Sequence, residues 1–298
     1  MSPFPLPFRS LLPAFFLWFF SCLSVAKAEE APPVTLRVQA VESLKKLPSA
    51  AAPKLAGQGI KLKVAEGGGT AEAVVALGSE AADVALTVRP ISGEEVASFP
   101  DKAFEEVEIG KQVVALLVPD ILWQNAIRAL TREEAKRIYE SKLINWSELG
   151  GPDRTIKFFN PVRGQGVWEM FATWLYGDQM KAGPGRFDTV ENGENASATV
   201  QFNSGALAVA NLRWVDGKEV HALAIKDEEG IPREPTNENI VSGKYPLSRP
   251  IYVLMAARQL GVRRRFVEFL KGPDGREILK KNEIVPIDDL IEKGGSGK

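Results

Sequence analysis

Apolar and polar residues alternate in short stretches along most of the chain. Residues 35–41 (TLRVQAV) and 60–66 (IKLKVAE) show the two-residue alternation of half-buried strands. Residues 111–119 (KQVVALLVP) form an almost continuous apolar run, which is typical of a strand buried on both faces. Further strands are predicted at 82–88, 155–160, 205–212, 220–225 and 249–256.

Helical patterns lie between these strands. A helix is predicted over 43–56, and another begins at Thr70, as its N-cap, and ends near Gly78. Thr131 followed three residues later by Glu134 is a capping box, which marks the start of a third helix. After Gly166 the apolar side chains recur every three or four residues, which predicts an amphipathic helix. Residues 261–282 supply two helical pieces near the C-terminal end.

The alternation of strands and helices predicts an α/β fold with largely parallel sheets. The 298 residues suffice for two lobes. Residues 226–246 are rich in charge, proline and glycine, so a long surface loop is expected there. The segment 291–298 ends in GGSGK and is expected to be a disordered tail.

The first 28 residues have the pattern of a cleavable secretory signal peptide. Arg9 is followed by an apolar run at 11–25 that is too short for a membrane span, and then by Ala-Lys-Ala at 26–28. We therefore expect a secreted, periplasmic protein. An uncleaved anchor and a lipid-modified Cys22 are the alternatives, and both fit the pattern less well.

Composition narrows the function classes. The formal net charge of −1 gives no basis for nucleic-acid binding. The chain has one histidine, His221, and its one cysteine, Cys22, lies in the predicted signal peptide. A Ser–His or Cys–His nucleophile is hard to build from these residues, and no clustered metal-binding motif is present. We expect a monomer that needs no cofactor and is not an enzyme.

Two glycine turns are candidate anion sites. Residues 67–70 (GGGT) and 163–167 (RGQGV) each follow a predicted strand and precede a predicted helix. Glycine allows a ligand to approach the backbone, and the first turn of a helix has unpaired N–H donors at the positive end of its dipole. Each turn alone also fits an ordinary strand–helix connection.

Four motifs resemble those of a known family, in the family's order and over residues 34–286. They are EGGGTAEAVVALGSEAADVAL, ADVALTVRPI, LTREEAKRIYESKLINWSELGGPDRTIKF and YPLSRPIYVLM. They are similar to the phosphate-type periplasmic substrate-binding proteins of ABC transporters, within the PBP superfamily. The resemblance implies a type II-like fold of two α/β lobes joined by two crossings, with a ligand cleft between the lobes.

The same resemblance implies the boundaries and the partners. Lobe I would comprise 33–117 plus 246–290, and lobe II 118–245, with a hinge near Val118 and Tyr245. The ligand would be a small oxyanion, phosphate in the family, and the partner an ABC permease or another periplasmic protein. The family pattern places the ligand at these residues: Ser43, Gly68, Gly69, Thr70, Arg89, Arg163, Gln165 and Gly166.

The chain departs from the family pattern where hydroxyl side chains are expected. Val41, Val88, Gln165 and Val167 occupy those positions, and Arg163 follows the family's arginine position by two residues. Two hypotheses therefore stand together. One is a protein that binds an oxyanion for import or sensing. The other is a periplasmic interaction or signalling module whose degenerate cleft binds no phosphate.

Overall fold

The structure is a computed structural model that describes residues 32–177, 187–257 and 261–294. The predicted signal peptide, residues 1–28, and residues 295–298 of the predicted tail lie outside the described residues. Within the described part of the chain, no helix is both long enough and apolar enough to span a membrane.

The strands in the described residues run mostly from three to nine residues, with one much longer member. They are β1 (Val34–Ala40), β2 (Ile60–Glu66), β3 (Val84–Thr87), β4 (Phe104–Pro119), β5 (Ala129–Thr131), β6 (Lys157–Pro161), β7 (Asp188–Val190), β8 (Ala206–Asn211), β9 (Val220–Ala222), β10 (Ala224–Lys226), β11 (Pro232–Arg233), β12 (Ser248–Ala256) and β13 (Ile284–Pro286).

The α-helices in the same residues range from one turn to three turns. They are α1 (Lys46–Ala56), α2 (Thr70–Gly78), α3 (Gly93–Ala97), α4 (Asp120–Gln124), α5 (Arg132–Tyr139), α6 (Gly166–Tyr176), α7 (Gly193–Gln201), α8 (Asn237–Val241), α9 (Gly261–Lys271), α10 (Pro273–Lys281) and α11 (Ile287–Gly294). Short 3-10 turns cover Glu42–Leu44, Trp146–Leu149 and Leu212–Trp214.

The main sheet is mixed. Its strand order is β2-β1-β3-β12-β4-β8-β6-β7, and β9 and β13 also pair with β4. The two ends of the sheet are parallel, but β12 and β4 in the middle run antiparallel to their neighbours. The prediction of largely parallel sheets was therefore wrong at the centre, because two long strands return through the sheet without a helical crossover.

Local periodicity located most elements correctly. The predicted strand at 60–66 and the predicted helix at 70–78 match β2 and α2. The Thr131 capping box is confirmed, since the Thr131 hydroxyl accepts from the Glu134 N–H. Three predictions need correction. Gly69, not Thr70, is the N-cap of α2. The predicted loop at 226–246 contains β11 and α8, and α11 extends through 291–294, where a disordered tail was predicted.

The apolar core is divided along the chain. One cluster of buried side chains draws on residues 36–109 and 251–284. Two others draw on residues 113–225, and one of these also takes in Ile240, Tyr245, Leu247 and Leu290. The chain thus passes from one core to the other between Ile109 and Val113 on β4, between Leu247 and Ile251 at the start of β12, and a third time between Ile284 and Leu290. The first passage lies several residues before the predicted boundary at 117/118.

The passages on β4 and at the start of β12 are hydrogen-bonded to each other. Residues 248–256 of β12 pair antiparallel with 104–113 of β4. The Val114 N–H donates to the Leu247 carbonyl at 2.8 Å, and the buried Tyr245 hydroxyl donates to the Val114 carbonyl at 2.9 Å.

Candidate functional site

Two adjoining cavities lie beside the point where the chain passes between the cores. The first, of about 610 Å³, is bounded by the start of α2, the corner after β3, α6 and the start of β12. The second, of about 580 Å³, lies at the N-terminal ends of α6 and α7. Glu42, Ser43 and Met170 line both cavities.

Seven of the eight predicted ligand residues line these cavities. Ser43, Gly68, Gly69, Thr70 and Arg89 line the first. Ser43, Gln165 and Gly166 line the second. Arg163 is not among the residues that line either cavity.

The glycine turn before α2 is built for a close approach of the backbone. Gly67 and Gly68 have φ of 99° and 75°, in the left-handed region that favours glycine. The Gly69 N–H, however, donates to the Glu72 carboxylate at 2.8 Å, so this predicted donor is already used. Thr70 is the first residue of α2, and its hydroxyl oxygen is buried without a hydrogen-bond partner in the described residues.

The start of α6 leaves backbone donors open. Gly164 has φ of 86° and turns the chain, and Gln165 is the N-cap. The first hydrogen bond of the helix runs from the Glu169 N–H to the Gln165 carbonyl at 2.9 Å, so the amides of 166–168 have no acceptor within the helix. These amides point out of the positive end of an eleven-residue helix.

The two predicted ligand arginines are engaged elsewhere. Arg89 donates to both carboxylate oxygens of Glu95, at 2.9 and 2.7 Å, and holds the pKa of Glu95 at about 2. Arg163 is exposed, with its guanidinium 5.4 Å from the centre of the Trp168 ring. Neither contact leaves the guanidinium pointing freely into the cleft.

Arg249, which the sequence analysis did not select, takes the central position. Its Nε donates to the Gln112 side-chain oxygen at 2.8 Å, and its Nη1 lies 3.8 Å from the Glu169 carboxylate. Its Nη2 is buried and has no partner in the described residues. A Cβ at Gly166 would lie 3.0 Å from this Nη2, so the glycine gives the guanidinium room against the start of α6. The side chain is 16% exposed, and burial lowers the pKa of Arg249 to about 10.

Glu169 is the acidic partner in the same cavity. Burial raises the pKa of this carboxyl, and the negative charge of Glu42 adds to the rise, while Arg249 opposes it. The cavity therefore holds a cation with an unpaired donor beside a carboxyl that ionises less readily than usual.

Three of the four positions where the family pattern expects a hydroxyl pack with the apolar cores. Val41 is buried and Val88 is partly buried in the first core cluster. Val167 packs against the second cluster and also lines the second cavity. Valine at these positions leaves no buried polar atom without a hydrogen-bond partner. Within the described residues, the unpaired polar atoms of the first cavity include the Thr70 hydroxyl oxygen and the Arg249 Nη2.

The part of the chain that the structure describes contains no cluster of metal-binding side chains. No group of three or more His, Cys, Asp or Glu residues there is placed to hold an ion. His221 instead shares a hydrogen bond with Asp120 at 2.8 Å and stacks on Trp123.

Comparisons with known proteins agree with this geometry. The phosphate-binding protein PstS of Staphylococcus saprophyticus is 25% identical over 199 residues, which cover 65% of this chain and 60% of that protein. The Bacillus subtilis PstS is 23% identical over 279 residues, covering 92% of this chain and 88% of that protein. The crystal structure of a possible phosphate binding protein from Planctomyces limnophilus superposes with a TM-score of 0.75 at 22% identity, covering 88% of this chain and 96% of that one.

The chain spans less than two thirds of the Staphylococcus saprophyticus protein but most of the Bacillus subtilis one. A family model described as a PBP superfamily domain matches residues 26–271, which is most of the chain. The α/β architecture, the division of the core and the cleft beside two crossings all accord with that match. This protein belongs to the PBP superfamily and has its two-lobed fold.

Proposed function

We propose that this protein is a solute-binding protein that holds a phosphate-like oxyanion in the cleft between two lobes. The observation that carries the proposal is the buried Nη2 of Arg249, which has no acceptor in the described residues and lies in the same cavity as the unpaired Thr70 hydroxyl. A buried donor without a partner costs about 1–3 kcal/mol, and more when it is charged. A bound oxyanion satisfies both groups.

The surrounding field favours a negative ligand. The guanidinium of Arg249 is a planar donor that suits phosphate and carboxylate. It lies against Gly166, at the start of α6, where open backbone amides and the helix dipole add to its attraction. Similarity to proteins named phosphate-binding supports phosphate as the first anion to test.

Binding would couple to closure of the lobes, with no chemistry on the ligand. We place lobe I at 33–117 plus 246–290 and lobe II at 118–245. The division of the apolar core supports two lobes, although Val113, Leu247 and Leu290, which these bounds assign to lobe I, pack in the core of lobe II. A ligand held by Thr70 from one lobe and by the start of α6 from the other would draw the two together. Delivery to an ABC permease, after export directed by residues 1–28, completes the proposed role.

Calorimetry on protein purified free of ligand tests the proposal. Phosphate, sulfate and molybdate are titrated separately into the protein, and thermal unfolding is measured with each anion. We expect heat release and a raised Tm with at least one of them. Absence of both effects with all three anions would reject an oxyanion site.

A second function is favoured by two observations. Val41 and Val88 replace expected hydroxyls with apolar side chains that pack into the core. The cleft also carries the acidic Glu42 and Glu169. A signalling or interaction module with no phosphate ligand accounts for both features, and the same titrations separate it from the first function.

A further inference from the structure

The second cavity is too large for an inorganic oxyanion alone. Its volume is about 580 Å³, and it adjoins the first cavity at Ser43. Phosphate has five non-hydrogen atoms, which at about 30 Å³ each, the share of one water molecule, need only about 150 Å³. Cavities of about 300–1,000 Å³ are typical of sites for organic ligands. The first cavity already offers the anion a cationic partner, so the second is available to another part of the same ligand.

Five side-chain amides line this second cavity. Asn211 uses both of its amide atoms within the protein. The other four each have one atom fixed by the protein. Gln112 accepts from Arg249 at 2.8 Å, and Asn192 accepts from the Asn195 N–H at 2.9 Å. Gln165 donates to the Glu191 carbonyl at 3.1 Å, and Asn282 donates to the Ile278 carbonyl at 2.9 Å. In every case the amide plane is held in one orientation.

The other atom of each of these four amides has no protein hydrogen bond within the described residues. Two of these atoms are donors, the nitrogens of Gln112 and Asn192, and two are acceptors, the oxygens of Gln165 and Asn282. Hydroxyl groups both donate and accept, so a polyhydroxy compound matches such a set. Because the amides are held by the protein, little side-chain entropy is lost when they bind.

The charged residues around the amides balance each other. Three lysines and three glutamates line the cavity: Lys45, Lys46, Lys281, Glu42, Glu191 and Glu283. Lys45 is paired with Glu42, and Glu283 accepts from the Trp214 ring nitrogen. The cavity thus has no net charge to recruit a second anion, and an uncharged polar group is the better fit.

We propose that the ligand is a phosphate monoester of a polyhydroxy compound, such as a sugar phosphate. Its phosphate group lies against Arg249 and Thr70, and its hydroxylated part occupies the amide-lined cavity. This inference rests on the proposed function, since it assigns the anion to the same place and adds the remainder of the ligand.

Titration calorimetry with inorganic phosphate, glucose 6-phosphate, glycerol 3-phosphate and glucose tests the inference on the full secreted protein. At least one of the two esters is expected to bind about tenfold or more tightly than inorganic phosphate, because several added hydrogen bonds contribute. Glucose alone, which lacks the anionic group, is expected not to bind measurably.

One substitution isolates the amide cavity. Asn192→Ser keeps an oxygen that caps α7 and removes the amide nitrogen that faces the cavity. It is expected to weaken binding of the preferred ester about three- to tenfold and to leave inorganic phosphate unchanged. Asn195→Ser is the matched control, because Asn195 is exposed on the same helix and lines neither cavity.

The outcomes separate the inference from the function beneath it. If inorganic phosphate binds as tightly as both esters, or if Asn192→Ser weakens phosphate and ester equally, the organic ligand is rejected and the oxyanion site stands. If neither phosphate nor either ester binds, both proposals are rejected.

Discussion

Replacing Arg249 with methionine is the sharpest test of the candidate site. Methionine has a similar length and no charge, so the change removes the unpaired Nη2 donor while keeping most of the packing. We expect the Arg249→Met protein to lose most of its affinity for phosphate, or for whichever anion the wild type binds.

Two estimates from the structure agree on the size of this loss. Burial lowers the Arg249 pKa from its usual value to about 10, so the buried charge lacks about 3 kcal/mol of stabilisation that an anion can restore in part. One hydrogen bond to a charged group contributes about 1.5–3 kcal/mol. Either figure corresponds to an affinity lower by about 10- to 150-fold.

The assay is titration calorimetry with Arg89→Met as the matched control. Arg89 lines the same cavity, but it is paired with Glu95 and its side chain is 44% exposed, so its removal is expected to change affinity less than threefold. If Arg89→Met abolished binding and Arg249→Met retained it, the reasoning would be refuted, and Arg89, which was predicted from the sequence, would be the arginine that binds the anion.

Folding must be separated from binding in this experiment. Arg249→Met leaves Glu169 without its cation, and removal of one partner from a partly buried pair destabilises a protein. We expect the double variant Arg249→Met with Glu169→Gln to recover thermal stability and still fail to bind the anion. Recovered binding in that variant would show that Arg249 acts only on stability.

Three further predictions concern stability and pH. The pKa of Glu169 is raised in the folded protein. Its contribution to the free energy of unfolding is therefore full below the carboxyl pKa of the unfolded chain and is lost as pH rises through the pKa of the folded protein. The effect of Glu169→Gln on the free energy of unfolding is therefore expected to be more favourable at pH 7 than at pH 4, as thermal unfolding will show, and equal effects at both would contradict the assigned cause. Gly275→Ala is expected to lower the unfolding free energy by about 1–3 kcal/mol in urea, because its Cβ would lie 2.1 Å from a carbonyl oxygen of α9; an unchanged midpoint would show that the helices shift freely. Asp83 accepts a hydrogen bond from Arg37 at 2.7 Å, and its pKa is lowered to about 2. Its contribution to the free energy of unfolding is therefore present above the usual carboxyl pKa and is lost as pH falls through about 2. Asp83→Asn should lower the free energy of unfolding by about 2 kcal/mol at pH 7, and an equal loss at pH 2 would argue against the ion pair.

The sequence predicted the elements well because their signals are local. The alternation at 60–66 and the Thr131 capping box depend on residues within one turn or one strand. The assignment of Thr70 as an N-cap failed for an equally local reason, since the preceding Gly69 takes that position and its amide is bound by Glu72.

The centre of the site could not be predicted in the same way. Arg249 and Gln112 are 137 residues apart and meet only because β12 pairs with β4. The one available signal was an arginine at the first position of an otherwise apolar predicted strand. The resemblance placed the two glycine turns at the starts of α2 and α6, where the structure has them, because the backbone sets their geometry. The position of a guanidinium depends on side chains alone, and Arg249 remains our proposal for it.

The pairing of Arg249 with Gln112 links β12 to β4 at the point where both strands pass between the two cores. Each residue sits on one of two connections between the lobes, and the guanidinium holds both. If the proposed ligand binds this guanidinium, it acts on both connections at once, and we propose that occupancy then changes the hinge itself and not only the walls of the cleft. A permease or a sensor that reads the angle between the lobes would then respond to occupancy of the site, whichever anion fills it.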